Sequence, residues 1–462
     1  MKRIAIIGGG ISGLSVAFLL EQQRLAGKQL EYVLFEASPR LGGVIFTERV
    51  DDCLVEAGPD SFLTEKPEAS ELCGELGIAD QLVGSNDSQR KTYILVNGRL
   101  IAMPDGLAFM IPTKILPAAL SPLFSLRTKL RMAREWFHAP VEIKDDESVA
   151  SFVERHYGKE MVDRLADPLL SGVYGGDATQ LSVKAVLPRF AEMQARYGSL
   201  GKAMTETRRQ ATSNSSRSLF TSLKDGMQQL VGAFVLRIPA SCVRSNAPIQ
   251  SLRPVDNGWS VSWKENTGRF DSVILAVPSY VAAKLLDGSC TNLASELRGI
   301  QYSSSVTVAL GFDQKVRALL PPGFGYLVPR GEGKRVLAVT FVHNKFPHRA
   351  PDDHALLRCF LGGTRDEPIL ELSEAEILQI VRKELRQVLG IDTEPRFARV
   401  HKWRGAMPQY NVGHLGRLQR IEQLRREVSG LFFAGNAYNG IGVPDCVRSG
   451  QQAASQTLGV EA

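Results

Sequence analysis

Four groups of residues in this chain have types and spacings suited to chemistry. The first is Gly8-Gly9-Gly10-Ile11-Ser12-Gly13, which fits G-x-G-x-x-G, followed by a single acid, Glu36. A glycine triplet of this form makes a tight turn, lets a phosphate approach the backbone, and lets a helix pack closely on a strand. An acid roughly twenty residues further on accepts hydrogen bonds from ribose hydroxyls. The second group, Arg40-Leu41-Gly42-Gly43, puts a guanidinium and two more small residues just past that acid. It reads either as an extension of the phosphate cradle or as an ordinary turn. The third is Glu56-Ala57-Gly58-Pro59-Asp60-Ser61-Phe62, with Lys66 shortly after. The fourth is a second Gly-rich crossing near the C-terminus, Gly435-Asn436 through Gly442-Val443-Pro444-Asp445.

The elements that must hold these groups are readable around them. Lys2 to Ile7 is a short, nearly all-apolar run, as expected of a strand buried on both faces of a parallel sheet. Leu14 to Leu20 has helical spacing, and Tyr32-Val33-Leu34-Phe35 is a second strand ending at Glu36. Strand, glycines, helix, strand and acid thus occur in the order that a dinucleotide-binding unit requires. The acid disfavours a 2′-phosphate, and so NADP; NAD and FAD both remain open at this point. The helix N-terminus offers unpaired N–H groups to the phosphates.

Composition narrows the class. A chain of 462 residues with 44% hydrophobic and 23% charged residues is ordinary globular material, enough for two or three domains. The formal charge of +6 suits an anionic ligand or an acidic membrane surface, and no basic arm of the nucleic-acid type is present in the sequence. Six scattered cysteines without C-x-x-C spacing, and no apolar leader, point to reduced thiols in the cytoplasm. The most apolar long stretch, 109–126, is broken by Pro112, Pro117 and Pro122 and carries Lys114, so no transmembrane span is expected. The seven histidines form no H-x-x-x-H or H-E-x-x-H arrangement, and no metal is expected. There is no G-x-S-x-G, no Cys/His nucleophile pattern and no Walker motif.

Further along, Phe270 to Pro278 is a buried strand that returns the chain to the opening sheet. From about 301 to 402 the alternation in Ser305–Leu310, Gly325–Val328, Val336–Val339 and Leu356–Phe360 predicts a mixed sheet. Ser373-Glu374-Ala375-Glu376 is a capping-box signature before a helix with Ile377, Ile380, Val381, Leu385 and Val388 on one face. Residues 100–217 turn from Pro-punctuated apolar stretches to basic helical ones. In Arg127 to Phe137 cationic and aromatic side chains mix, as on a helix lying on a membrane or on an inward-packed helix with a solvated basic face. The polar run 211–216 marks a domain return.

Taken together, the opening motif, Arg-x-Gly-Gly and Gly-Pro-Asp-Ser-Phe resemble the flavin-containing porphyrinogen oxidases, the protoporphyrinogen and coproporphyrinogen oxidases of haem synthesis, within the flavin amine oxidase superfamily. The resemblance continues through Tyr93-Ile94-Leu95-Val96-Asn97-Gly98, Ile111–Ile115, Leu170-Ser171-Gly172-Val173-Tyr174-Gly175-Gly176-Asp177, Tyr197–Leu200, Met407-Pro408-Gln409-Tyr410 and Gly435 to Cys446.

It implies an α/β fold: a discontinuous Rossmann-like FAD-binding domain (1–66, 218–295 and 425–462), a mixed-sheet substrate domain (67–99 and 296–424), and a helical, membrane-contacting domain (100–217). The cofactor it implies is FAD, gripped from both ends of the chain. Its contacts would be Gly8, Gly10, Ile11, Ser12, Gly13, Glu36, Ala37, Arg40, Gly42, Gly43, Gly58, Pro59, Asp60, Val243, Trp403, Gly435, Val443 and Pro444.

The implied reaction is six-electron oxidation of a porphyrinogen by dioxygen, with hydrogen peroxide released and no side-chain catalyst required. The substrate contacts would be Lys66, Thr92, Gly172, Gln409 and Tyr410. Many protoporphyrinogen oxidases of the family have arginine where this chain has Thr92, whereas Lys66 matches the coproporphyrinogen-type pattern. That tilts the expectation to coproporphyrinogen III, with protoporphyrinogen IX as the alternative. The same scaffold would also suit a flavin amine oxidase or desaturase, or a porphyrin carrier without turnover. Ferrochelatase is the implied recipient of product, the expected assembly is a monomer or homodimer, and the expected site is the cytoplasm or inner membrane face.

Overall fold

The computed structural model describes residues 1–108, 110–112, 114–142, 145–210 and 218–459. The polar run 211–216, expected as a domain return, lies outside them.

The opening strand Lys2–Ile7 sits at the centre of a five-stranded parallel sheet. Leu30–Phe35 and then Val243–Arg244 lie on one side of it; Ser272–Leu275 and then Leu431–Phe433 lie on the other. Three separated stretches of chain therefore build one sheet. Its apolar run is explained by burial on both faces. Ile4 and Ile6 pack with Leu14, Leu20 and Val447, while Ala5 and Ile7 pack with Val273, Leu275 and Leu286. The first helix, Ile11–Leu25, and the last, Val443–Leu458, cover the same face and cross closely enough that a Cβ on Gly450 would stand 2.4 Å from the Ser12 carbonyl.

A seven-stranded sheet forms the second layer. Its order is Phe397–Pro408, Tyr302–Asp313, His354–Gly362, Val336–Phe341, Gly325–Leu327, Thr92–Val96 and Arg99–Ala102. It is mixed because Gly325–Leu327 runs parallel to Thr92–Val96 and every other pair is antiparallel. All four alternating runs seen in the sequence lie in it or at its edge. The helix Glu374–Leu389 backs it, with Ser373 and Glu376 making the reciprocal capping bonds the signature predicts.

The helices of 115–210 pack on the outer end of this sheet through Ile94, Val96, Phe152, Leu165 and Leu170. One of them runs from Lys159 to Tyr174 with a π-turn at Val162–Ala166. The extra residue of a π-turn shifts the helix face after it, a device common near functional sites. Here it aims the Ser171–Gly176 segment at the seven-stranded sheet. Among the described residues no helix is long and apolar enough to cross a membrane.

Candidate functional site

The three motif glycines have separable roles. Gly8 has φ +110° and a Cβ there would lie 2.3 Å from the Ala276 carbonyl oxygen; a Cβ on Gly13 would lie 1.9 Å from the Gly8 carbonyl oxygen. Both are demanded by the protein's own packing. Gly10 differs, because a Cβ there would meet nothing nearer than Gly43 Cα at 4.0 Å. It borders open space at the N-terminus of a helix with no side-chain cap, where the first-turn N–H groups of Ile11, Ser12 and Gly13 await an acceptor. An anionic pyrophosphate fits that position.

Glu36 is pre-aimed. Its Oε2 accepts from Gly9 N–H at 2.7 Å and its Oε1 from Ser38 N–H at 2.8 Å, across Ala37. Val243 lies beside it on the edge strand, paired with Leu34, while Glu36 N–H donates to the Arg244 carbonyl. The second glycine pair is annealed to the first: Gly42 N–H donates to the Gly9 carbonyl at 2.8 Å, and Gly10 and Gly42 form a parallel bridge. Arg40, expected to face the anion, instead donates to the carbonyls of Ile45 (2.7 Å) and Gly43 (2.5 Å). Its guanidinium holds the turn in shape.

The C-terminal crossing closes the cradle. Gly435, with φ +130°, borders open space, and Gly435 N–H donates to Ser449 Oγ at 3.0 Å. The last helix starts at Val443 with Pro444 in its first turn, where a proline removes only an N–H that has no helical partner. Asp445 accepts from Gly442 N–H at 3.1 Å. Lys66, expected as a free cation for a substrate carboxylate, donates to both oxygens of this Asp445, at 2.8 and 2.7 Å. Arg448 shares the carboxylate at 2.6 Å and also pairs with Glu68. Lys66 thus ties the third motif to the last helix, and its charge is already matched.

The remaining predicted substrate residues serve different purposes. Gly172 faces Leu327, which pairs with Ile94; Thr92 begins that same strand, with Gly325 opposite, two positions away. Gln409 Nε2 donates to the Tyr174 carbonyl and to Ser303 Oγ, both at 2.9 Å, while its Oε1 is buried without a partner. The Tyr410 hydroxyl donates to the Asn436 carbonyl at 2.6 Å and accepts from Gly440 N–H at 2.8 Å, and its ring stacks on His414. Gln409 and Tyr410 therefore staple the Gly172 segment and the C-terminal crossing to one strand end.

Sequence reading missed the charge cluster beneath the third motif. Gly58 is required there, since a Cβ would lie 1.8 Å from the Val44 carbonyl, and Pro59 follows it. The Asp60 carboxylate, expected to touch cofactor, is taken by Lys345 (3.0 Å) and Ser61. Arg349 donates to Glu56 (3.1 Å), to the Asp60 carbonyl (2.8 Å) and to Ser222. Arg358 donates to the Ala57 and Gly58 carbonyls. Trp403 Nε1 and Thr307 Oγ1 reach the same Ala57 carbonyl at 2.9 and 2.8 Å. Burial alone would raise Asp60, but Lys345, Arg358 and Arg349 outweigh it and hold its carboxyl well below the usual range. Glu56 goes the other way: burial raises it despite Arg349. No sequence motif marks Lys345, Arg349 or Arg358, whose partners in residues 56–60 lie 285, 293 and 301 residues away.

A parallel sheet with a glycine turn, an aimed acid and a second turn bonded to the first defines a dinucleotide-binding oxidoreductase, closed here by the chain's own C-terminal helix. Comparison with known proteins agrees. Residues 11–458 match the model of the family described as flavin containing amine oxidoreductase. Coproporphyrinogen III oxidase of Bacillus subtilis (strain 168) is 36% identical, over 99% of this chain and 98% of that protein. Protoporphyrinogen oxidase 2, chloroplastic/mitochondrial, of Arabidopsis thaliana is 28% identical over 99% and 94%. A crystal structure from Exiguobacterium sp. 255-15, provisionally described as a protoporphyrinogen oxidase, superposes with a TM-score of 0.88 at 30% identity, covering 98% of each chain. The chain belongs to the flavin-containing amine oxidoreductase family, and its cofactor is FAD.

Two substitutions separate cofactor fit from folding. Gly10→Ala should change the stability of the flavin-free protein by less than about 1 kcal/mol yet weaken FAD binding about tenfold or more, read as flavin absorbance per chain after dialysis. Gly13→Ala should destabilise the apoprotein as well, by about 1–3 kcal/mol, through the clash with Gly8. Equal FAD content in Gly10→Ala and wild type would show that no ligand approaches there.

Lys345→Met leaves Asp60 buried beside fewer cations and should cost about 3–5 kcal/mol in urea unfolding at neutral pH. Because the folded carboxyl of Asp60 lies below its unfolded value of about 3.9, its contribution is complete above that pH and fades as pH falls below it. Wild type should lose stability on acidification through that window, and Lys345→Met should show a shallower loss.

Proposed function

We propose that this enzyme oxidises a porphyrinogen to a porphyrin with dioxygen as acceptor, and that coproporphyrinogen III is the preferred substrate over protoporphyrinogen IX. The observation that carries this reading is end-to-end similarity: 36% identity to a coproporphyrinogen III oxidase with nearly complete coverage of both chains, against 28% for a protoporphyrinogen oxidase. Thr92, in place of an arginine, agrees with it.

FAD, when bound, would accept hydride from the substrate and be returned to its oxidised state by dioxygen. The chain's part is to bind and orient. Ile11, Ser12, Gly13 and Gly10 would take the pyrophosphate, Glu36 and Ala37 the ribose, and the backbone of Val243 the adenine. Gly42, Gly43, Gly58, Pro59, Trp403, Gly435, Val443 and Pro444 would enclose the remainder. The unpaired N–H groups opening the last helix favour negative charge at that end. Asp60 and Arg40 act through the turns they hold. The substrate ring would lie beside the Gly172 segment, near where that segment packs on the seven-stranded sheet, with Gln409 holding the Tyr174 carbonyl in place. No side-chain base is required, since pyrrole N–H protons can leave to water.

The domain bounds 1–66, 218–295 and 425–462 for cofactor, 67–99 and 296–424 for substrate, and 100–217 for the helical part belong to the same proposal. They are supported by which strands share a sheet. So do a cytoplasmic location and a peripheral membrane contact. Leu120, Leu126, Leu130 and Phe137 are exposed among Arg127, Lys129, Arg131 and Arg134, the pattern of a surface that dips into an anionic bilayer. Sedimentation with anionic vesicles should capture the wild type, and Leu126→Glu with Leu130→Glu should abolish capture; no capture of wild type would remove the membrane from the account. A chelatase that takes the metal-free product directly completes the proposal, and free exchange of product with bulk solvent in a mixture of the two enzymes would count against it.

The deciding assay compares substrates. Purified yellow protein under oxygen should convert coproporphyrinogen III to a fluorescent porphyrin faster than protoporphyrinogen IX, with peroxide formed in step. Peroxide from polyamines and none from porphyrinogens would turn the reading to an amine oxidase. Stoichiometric porphyrinogen binding without turnover would turn it to a carrier.

A further inference from the structure

The helical region carries a polar cluster that the oxidation chemistry does not use. Glu135 ends the helix Leu126–Glu135, His138 lies in the turn that follows, and His156 is on Val149–Tyr157. One side-chain donor atom from each lies within 4.8 Å of the other two. Glu135 and His156 are each only 2% exposed, and His138 is half-buried.

Hydrogen-bond accounting fixes which nitrogen of His156 carries hydrogen. Arg155 Nη1, which can only donate, lies 2.8 Å from Gln194 Oε1, and Gln194 Nε2 donates to the Val141 carbonyl at 3.0 Å. The orientation of the Gln194 amide is thereby settled. Its Oε1 also lies 2.7 Å from His156 Nε2, which must therefore carry a hydrogen. On a singly protonated ring Nδ1 keeps its lone pair. It is buried, has no hydrogen-bond partner, and faces Glu135 Oε1 at 3.3 Å. Two electron-rich atoms at that distance, out of water, require either a second proton on the ring or a cation between them.

The surroundings match those of a metal ligand set. A metal-bound imidazole usually donates its other N–H to an oxygen acceptor, the position Gln194 occupies. Ligating carboxylates are themselves held by hydrogen bonds, as Glu135 is by Ser199 Oγ at 2.9 Å and Leu200 N–H at 2.5 Å. Two imidazoles and one carboxylate suit zinc, and offer too few oxygens for calcium or magnesium. His138 and His156 open on a cleft of about 560 Å³ lined also by Arg131, Arg134, Arg155, Ser151 and one acid, Glu154. Arg155 is paired with Glu147; among the described residues no ion-pair partner is found for Arg131 or Arg134. These two cations oppose a bare metal ion but favour one that carries an anion.

We propose that Glu135, His138 and His156 form a zinc site whose fourth position, facing the arginine-lined cleft, takes an anionic ligand. Its ligands come from the end of one helix, the turn after it and a second helix, so no H-x-x-x-H or H-E-x-x-H spacing encodes the set. Only the Glu135-x-x-His138 pair is close in sequence.

The test uses untagged, FAD-loaded full chain, stripped with a chelator and dialysed against zinc chloride. Wild type should retain one zinc per chain, with zinc-edge absorption showing N/O ligands at about 2.0–2.1 Å. His138→Ala should bind zinc at least tenfold more weakly with unchanged FAD content and unchanged porphyrinogen turnover. His138→Gln, which keeps volume and hydrogen bonding, should match it and guards against loss through misfolding. Absence of stoichiometric zinc in wild type would overturn the site, as would undiminished binding in both variants; His156 would then be an imidazolium paired with Glu135.

Discussion

Two backbone turns that touch without side chains between them set the terms for this molecule. Gly10 and Gly42 form a bridge, and Gly42 N–H bonds the Gly9 carbonyl, so the first and second glycine motifs make one surface. That surface is useful only if the rest of the chain comes back to close it. The return is made by Ser272–Leu275, by Leu431–Phe433 and by the last helix, whose start is tied to the third motif through Lys66 and Asp445. Contacts of such long sequence separation are costly to form in loop entropy, and they bring both ends of the chain to one glycine-lined surface.

Beneath it, the strand His354–Gly362 and the short helical turns that precede it supply what the glycine turns lack, which is charge. Arg358, Lys345 and Arg349 converge on residues 56–61 and bond to backbone carbonyls as well as carboxylates. Buried ion pairs of this kind add little net stability against an apolar alternative, but removing one partner is expensive. They therefore act as a register device: the sheet sits where its cations meet Glu56, Asp60 and the Ala57 carbonyl. The same carbonyl receives Trp403 and Thr307, so three donor side chains of the seven-stranded sheet meet Ala57 and Gly58 and hold that segment against it.

Legibility in the sequence followed the range of the interaction. The opening motif, the alternating strands of 301–402 and the Ser373–Glu376 capping box depend on neighbours within a few residues, and each was readable from residue type and spacing. The chemistry of Gly8, Gly10 and Gly13 was readable too, although only the structure distinguishes the one that borders open space. Charged residues beside a glycine motif, as Lys66, Asp60 and Arg40 are, have the local pattern of ligand contacts. In the fold each is committed to the protein: Lys66 to Asp445, Asp60 to Lys345, Arg40 to two carbonyls. Their partners lie in other elements or depend on turn geometry, and neither is encoded in local spacing.

The role proposed for the cradle is to hold FAD and present it to a porphyrinogen. Anaerobic mixing of the purified yellow protein with coproporphyrinogen III tests it most directly, with flavin absorbance followed in time. The bound flavin should bleach rapidly and recover its full colour on admitting oxygen. A flavin that stays oxidised in the presence of saturating porphyrinogen, while still being reducible by dithionite, would contradict it.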